Sequence, residues 1–429
     1  MVGAGRTDGG AGVRAATRST APVFVLGGAQ TDFARHWTRE GLTLTDLMRD
    51  TAQGALRGAR VDASAIEVGH VANFVAELFC GQGHLGGLLV EADRAFEGMP
   101  TSTHEAACAA GGAALMAAMA DIESGRYDCA LVIGVELMRN VKGDAAAHHL
   151  GAAAYVPRET EGVPYPWPQL FSDLGDEYDR RYGIRHHHLA ALAQSNFANA
   201  RRNPRAQTRA WVLAPENFTE DQGANPVVAG RIRKQDCSQI TDGGAAVVLA
   251  SARFAAQWAR REGESLEAIP VIQGWGHRTG RMSFADKIAA SRDQAYVLPH
   301  VRGAITDAYA RAGVAGPAAL DAIETHDCFT TTHYMAIDHF GLTAPGESWK
   351  SIEDGVIQRG GRCPMNTGGG LTGGGHPIGA TGVRMVLDAA TQVRGAAGDC
   401  QVEGARTVAT LNLGGSGTTA VCTIVGRAG

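Results

Sequence analysis

The chain has 429 residues with a formal net charge of −5, and 45% are hydrophobic, 19% charged and 6% aromatic. That length exceeds one ordinary core and points to two packed units or a duplicated domain, with an interior built mainly of Ala, Val, Leu and Ile. Scattered charges of both signs exclude the basic field that nucleic-acid binding needs, and no apolar run is long enough to cross a bilayer. The eight cysteines follow no metal-ligand or disulfide spacing, which places the chain in a reducing compartment, the cytoplasm. The high Gly and Ala content points to a GC-rich bacterial genome.

Residues 1–21 read as a disordered tail, Arg-, Ser- and Thr-containing but without the apolar centre of a secretory signal. PVFVLGG (22–28) is a predicted strand, followed by a helical pattern through Leu42, Leu44, Leu47, Met48 and Leu56, then a second strand in 66–75. Short apolar runs alternate with amphipathic helices up to Ala250, the signature of an α/β fold. The stretch 139–233 differs, being rich in Pro, Tyr, Trp, His and Arg, and reads as an inserted cap of the kind that builds substrate pockets.

An internal echo organises the rest. CAAGGAALMAAMADI followed by CALVIGVE (129–136) is matched by HPIGATGVRMVLDAATQV followed by TVATLNLGG (407–415), and DGGAAVVLAS (242–251) is matched by GSGTTAVCTIVG (415–426). Two similar halves are expected, 22–251 and 268–429.

Three segments carry chemistry. Cys108 in STHEAACAAGG stands where a loop becomes a helix, and free N–H groups with the helix dipole there favour a thiolate. The following Ala109, Ala110, Gly111 and Gly112 let a bulky thioester or neighbouring backbone come close. An isolated Cys on such a face is ordinarily a packed hydrophobe, so its partners decide. His376 leaves the glycine-rich run MNTGGGLTGGGHPIGATG (365–382) just before a helix, placed to take the Cys108 proton as a general base. The run lacks the Lys-Ser/Thr of a nucleotide loop and follows no close strand. ETHDCFTT (324–331) follows the predicted strand AIETHD and puts His326, an oxyanion donor, and Cys328, a second acid/base, at a strand end where α/β folds carry chemistry.

Together, a Cys opening a small-residue helix, HDCF, and NTGGGLTGGGHPIGATG in this order resemble the thiolases, in particular the sterol-carrier-protein-type 3-oxoacyl-CoA thiolases, over nearly the whole chain from about Pro22. CGQ (80–82), YGIRHHHLAALAQSNFANARRNP (182–204) and NLGGSG (412–417) are similar to that group as well. The resemblance implies a duplicated five-layer αβαβα fold with an inserted loop domain. It implies a homodimer, or a tetramer built from it, with acyl-CoA substrates, coenzyme A or acetyl-CoA as co-substrate, and no tightly bound cofactor or metal. Cys108 would carry the acyl group, His376 activate it, His326 serve the thioester oxyanion, and Cys328 take the acid/base role that many thiolases give to a Cys where this chain has Asn412. Contacts to substrate or coenzyme A are expected at Gly375, Asn412 and Gly414. Trp167 with Trp211, Tyr182, Arg180, Arg181, Arg201 and Arg202 forms a candidate set for adenine and phosphates. The implied reaction is thiolysis of a 3-oxoacyl-CoA or the reverse Claisen condensation. Its rivals are a retro-aldolase or condensing subunit working with a small OB-fold acyl-CoA-binding partner, and a non-catalytic acyl-CoA-binding scaffold.

His104-Glu105-Ala106-Ala107 before the nucleophile and Thr331-Thr332-His333-Tyr334 after HDCF depart from the family pattern. His186, His187 and His188 diverge by about 100° each on a helix, so three together are not expected on one ion. For dimerisation, the buried strand ending near Glu136 is the expected two-fold contact.

Overall fold

The computed structural model describes residues 21–428, so nearly all of the tail expected at 1–21 lies outside the described residues. Among the described residues there are eleven strands: β1 (Val23–Gln30), β2 (Val68–Ala72), β3 (Thr101–His104), β4 (Cys129–Glu136), β5 (Val227–Ala229), β6 (Ile232–Arg233), β7 (Gly243–Ala250), β8 (Pro270–Thr279), β9 (Ala322–Thr325), β10 (Thr407–Gly414) and β11 (Thr419–Arg427). Nine of them form one mixed sheet in the order β3-β2-β4-β7-β1-β8-β11-β10-β9, and β5 with β6 makes a separate hairpin.

The sheet contains the same pattern twice. In the first half β2 is parallel to β4, β4 antiparallel to β7, and β7 antiparallel to β1. In the second, β9 is parallel to β10, β10 antiparallel to β11, and β11 antiparallel to β8. Even β3, parallel to β2, has its counterpart in an isolated parallel bridge from Met365 to Ile323 beside β9. The halves meet where β1 pairs β8 through only Val23↔Ile272 and Phe24↔Val271.

Strand alternation creates the layers. Leu131, Ile133 and Val135 of β4 join an outer core with Leu47, Met48 and Leu56 of the helix Leu44–Ala59. Ala130 and Val132 point the other way, into an inner core shared with Ala114 and Leu115, Val383 and Val386, and Val408 and Val425 of the second half. A third core lies under the helix Pro299–Ala312, built on Leu411, Cys422 and Ile424. Helices thus cover both outer faces, while the helices Ala110–Glu123 and Ile378–Arg394 pack on each other between the half-sheets, giving five layers. β strands buried on both faces favour continuous apolar sequence, as β4 shows up to Glu136 and β7 shows throughout, whereas β10 carries buried Thr410 and Asn412 whose side chains are hydrogen-bonded.

The small residues after Cys108 serve this crossing. A Cβ at Gly111 would lie 2.8 Å from the backbone nitrogens of Gly382 and Val383, so the two central helices meet backbone to backbone. One expectation is corrected here: β4, the strand that ends at Glu136, is hydrogen-bonded on both sides and cannot pair across a two-fold, whereas β3 is the free edge of the first half. Within 139–233, the helices Pro166–Tyr182 and His186–Ala200 supply Leu170, Phe171, Leu174, Tyr178 and Leu189 to the core under the second half, where Phe171 stacks on Phe329 at 4.7 Å, while Ala146 of the helix Gly143–Leu150 joins a smaller cluster with Phe74, Phe79 and Ile378. No helix among the described residues is long and apolar enough to cross a membrane.

Candidate active site

β3 ends at His104, and the chain then turns sharply to reach the helix Ala110–Glu123. Ala107 takes φ +50°, a left-handed conformation that a residue with a Cβ holds only where its surroundings compensate. Here the Glu105 carboxylate accepts from the Ala107 N–H. The departure from the family pattern before the nucleophile is thus part of the turn. Cys108 follows at the mouth of the helix.

The other half of the molecule completes the setting. The Asn412 amide, on β10, donates from Nδ2 to the Cys108 carbonyl at 2.8 Å and accepts at Oδ1 from the Gly112 N–H at 3.2 Å. These two backbone partners fix which way the amide points. Nδ2 also lies 3.5 Å from His326 Nδ1, so that nitrogen is the acceptor and the His326 proton sits on Nε2. The reverse holds at His376. Its Nδ1 is 2.7 Å from Thr381 Oγ1, whose own proton goes to the Pro377 carbonyl at 3.0 Å; His376 therefore donates from Nδ1 and leaves a bare Nε2. That Nε2 is buried without a partner. The two imidazoles pack edge to face, with centroids 5.2 Å apart. A nitrogen from each ring and the Cys108 sulfur lie within 4.8 Å of one another.

Asp327 ties the two loops that carry these groups. Its carboxylate accepts from the Leu371 N–H at 2.6 Å, the Thr372 N–H at 3.1 Å and Asn196 Nδ2 at 2.7 Å, and Thr372 Oγ1 returns a bond to the Asp327 carbonyl at 2.8 Å. A Cβ at Gly370 would lie 2.5 Å from the Asp327 oxygens, so the glycine run is a close-packed wrap around this carboxylate. Thr241 Oγ1 accepts the His376 N–H at 2.8 Å and fixes where the ring leaves the loop.

Electrostatics correct the expectation of a resting thiolate. Burial pushes the Cys108 thiol up to about 12, with the Glu136 carboxylate adding to the rise, although the N–H groups of Cys108 and Gly415 act against it. Desolvation therefore outweighs the helix mouth. His376 is pushed down to about 3 by burial and then Arg384, and His326 is pushed well below the usual imidazole range by burial, His376 and Arg384. The resting pair is a neutral thiol facing a neutral imidazole. Cys328 is likewise held as a thiol, by burial and then by the nearby Cys108 sulfur.

A cavity of about 390 Å³ opens beside Cys108, with Cys328, His376, Gly415, Met138, Leu150, Trp167, Phe171, Phe329 and Ile378 in its wall. His326 is not part of this wall, although one of its ring nitrogens lies within 4.8 Å of the Cys108 sulfur that is. Of the candidate nucleotide-binding set, only Trp167 reaches the cavity, its Nε1 donating to the Leu150 carbonyl at 2.9 Å. Arg180 and Arg181 both pair with Glu177, Tyr182 donates to the Ala295 carbonyl, and Trp211 stacks on Phe197. Arg202 is exposed beyond the helix His186–Ala200. Gly414 packs its Cα against the Ala106 and Ala109 backbone, and Gly375 against Gln207 and Thr241. His187 and His188 both approach Glu353, at 4.0 and 2.9 Å, so two of the three consecutive histidines do share one partner.

Sequence reasoning missed Gly415, Thr381 and Glu136 as contributors, and it named Asn412 for substrate contact rather than for the positioning part that the structure gives it. Gly415 supplies a backbone N–H, for which no side chain can signal. Thr381 and Asn412 orient the histidines, and Glu136 organises the floor, accepting from Asn73, Phe74, Val75 and Gly379. Thr381 was visible within GATG, five residues after His376, as a hydroxyl in the first turn of the helix that follows.

Comparison with known proteins bears on the family and the fold. The thiolase N-terminal domain profile matches residues 23–253, and the profile described as thiolase C-terminal domain-like matches 283–427. An acetyl-CoA acetyltransferase of Methanothermobacter thermautotrophicus is 33% identical over 408 residues, covering 94% of this chain and 99% of the relative. Sterol carrier protein 2 of Rattus norvegicus is 26% identical over 93% of this chain and 71% of its own length. Among solved structures, the Ltp2-ChsH2(DUF35) aldolase superposes with TM-score 0.73 at 20% identity, covering 95% of this chain and 98% of that one. Human mitochondrial 3-ketoacyl-CoA thiolase in complex with CoA superposes with TM-score 0.69 at 16% identity, with the same coverage. In sequence along nearly its whole described length, and in fold, the chain belongs to the thiolase family of acyltransferase enzymes.

Proposed function

We propose that this enzyme transfers acyl groups between Cys108 and coenzyme A, cleaving 3-oxoacyl-CoA substrates or running the reverse Claisen condensation. The observation that carries the reading is the neutral Cys108 thiol within 4.8 Å of two imidazoles of opposite tautomer, at the wall of a largely apolar cavity.

His376 Nε2 takes the thiol proton as the sulfur adds to the 3-keto carbon. Negative charge moves to the carbonyl oxygen, towards the N–H groups of Cys108 and Gly415, and donors placed where charge develops dominate such rates. Collapse breaks the Cα–Cβ bond. The electron pair passes to the departing acyl-CoA fragment as an enolate, whose oxygen His326 Nε2–H serves and whose carbon takes the Cys328 proton. Coenzyme A then gives its thiol proton to the Cys328 thiolate and adds to the Cys108 thioester. Breakdown of that adduct releases the shortened acyl-CoA, and Cys108 recovers its proton from His376.

Aldol cleavage with an accessory subunit is the second reading, favoured by the likeness to the Ltp2-ChsH2(DUF35) aldolase. Retro-aldol cleavage needs no acyl-sulfur intermediate, so a cavity that keeps Cys108 and Cys328 together supports thiolysis over it. We further infer a homodimer joined at the free edge of β3, acting on acyl-CoA in the bacterial cytoplasm; the eight free cysteines fit a reducing compartment. The test is cleavage of acetoacetyl-CoA and longer 3-oxoacyl-CoA by coenzyme A. Activity abolished in Cys108→Ala supports the proposal. Equal inertness of wild type and variant, with acyl-CoA still bound, would make the chain a scaffold.

A further inference from the structure

Lys287 is a buried ammonium that no step above uses. It lies on the helix Phe284–Ser291 and donates from Nζ to Ser416 Oγ at 2.7 Å, Thr418 Oγ1 at 2.8 Å and the Met282 carbonyl at 3.2 Å. Ser416 follows Gly415 directly, and Thr418 Oγ1 lies under Gly415. The same loop is held by His300, whose Nε2 bonds the Gly417 carbonyl, and by the Gly280 N–H donating to the Thr418 carbonyl at 2.7 Å. The helix bearing Lys287 begins under the inserted segment, where Glu159 accepts the Phe284 N–H at 2.6 Å and Arg158 pairs with Asp286.

Burying an amine against two hydroxyls is costly unless the geometry it fixes is needed. A structural ammonium in a core would be replaceable by packed apolar side chains; this one clamps the only two side-chain oxygens of the turn after Gly415. We propose that Lys287 is a positioning residue for the oxyanion site, clamping the Gly415–Thr418 turn so that the Gly415 N–H faces the carbonyl oxygen of the Cys108 adduct. The inference rests on the thiolysis reading and extends it to a residue outside the cavity. Burial pushes the Lys287 amine down to about 8, with Glu159 pulling it back. The groups facing it are Glu159 and His300, with Asp286 one residue before it on its own helix and paired with Arg158 of the inserted segment. Loss of its proton removes one of its three donors, so acylation falls as pH rises through that range.

The test compares two reactions of the same sulfur in the full-length protein: acylation by a 3-oxoacyl-CoA, which builds an oxyanion, and alkylation by iodoacetamide, which does not. Lys287→Met is expected to slow acylation about 100-fold, the typical effect of losing one oxyanion donor, with alkylation within about twofold. Lys287→Arg, which keeps charge and donors, recovers part of the loss. The wild-type fall in acylation above pH 8 is absent in Lys287→Met. Unchanged acylation in Lys287→Met, or an equal fall in both reactions, overturns the proposal. Ser416→Ala and Thr418→Val supply the same comparison should Lys287→Met not fold: acylation equal to wild type in both overturns it. A wild type that is alkylated but never acylated refutes the thiolysis reading itself, which separates the two failures.

Discussion

Asn412 holds Cys108 from the opposite half of the molecule, its amide nitrogen 2.8 Å from the cysteine carbonyl although the residues are 304 positions apart in the chain. The same side chain accepts from Gly112 and orients His326. The position therefore acts through backbone and imidazole geometry.

Asn412→Ala leaves the buried Cys108 carbonyl and Gly112 N–H without partners, and a loss of about 1–3 kcal/mol is expected in urea denaturation. Asn412→Asp keeps the acceptor for Gly112 but loses the donor and brings negative charge to a thiol already hard to ionise. It is expected to acylate more slowly than the alanine variant. Faster acylation by the aspartate variant would refute this electrostatic account.

Thr381→Val removes the acceptor that keeps the His376 proton on Nδ1, so Nε2 is no longer held as the base. A fall in kcat of about 10- to 100-fold with KM nearly unchanged is expected, and Thr381→Ser restores most of it. A change in KM alone would place Thr381 in packing.

A thiol near 12 opposite an imidazole near 3 predicts no ion pair between those values. The thiolate fraction, and with it iodoacetamide alkylation of Cys108, should rise about tenfold per pH unit from pH 6 to 10. Glu136→Gln removes a charge that raises the thiol, so alkylation at pH 8 should quicken. A plateau reached below pH 6 would show a preformed thiolate–imidazolium pair.

Cys328→Ala removes the proton donor to the enolate but leaves the oxyanion site in place. Intact mass should still detect the acyl adduct on Cys108 while steady-state turnover falls at least about 100-fold. Normal turnover would remove Cys328 from the mechanism.

Trp167→Ala opens the cavity wall contributed by the insertion and ends the bond to the Leu150 carbonyl. The ratio of kcat/KM for a long or branched 3-oxoacyl-CoA over acetoacetyl-CoA should rise about tenfold. An unchanged ratio would move acyl-chain selection to another wall.

Much of the frame was legible in the residues. The apolar runs of β4 and β7 place two buried strands, and the repeated helix-strand pairs around Cys108 and His376 announce the duplication that the sheet order then displays. Cys108, His326 and His376 were nameable because reactive side chains at loop-to-helix and strand-to-loop junctions have local signatures. The ionisation of Cys108 was misjudged for a definite reason: a helix mouth is a local feature, whereas the depth of burial and the approach of Glu136 come from elements distant in sequence.

The sequence by itself determined the periodicities, the repeat and the identity of the reactive atoms, because these follow from local sterics and from side-chain chemistry. Tertiary structure alone decided the neutral state of the thiol, the opposite tautomers of the two histidines and the role of Asn412. Each of those depends on which groups the fold brings together in a place that excludes water, from Thr381 five residues beyond His376 to Asn412, 304 positions from Cys108.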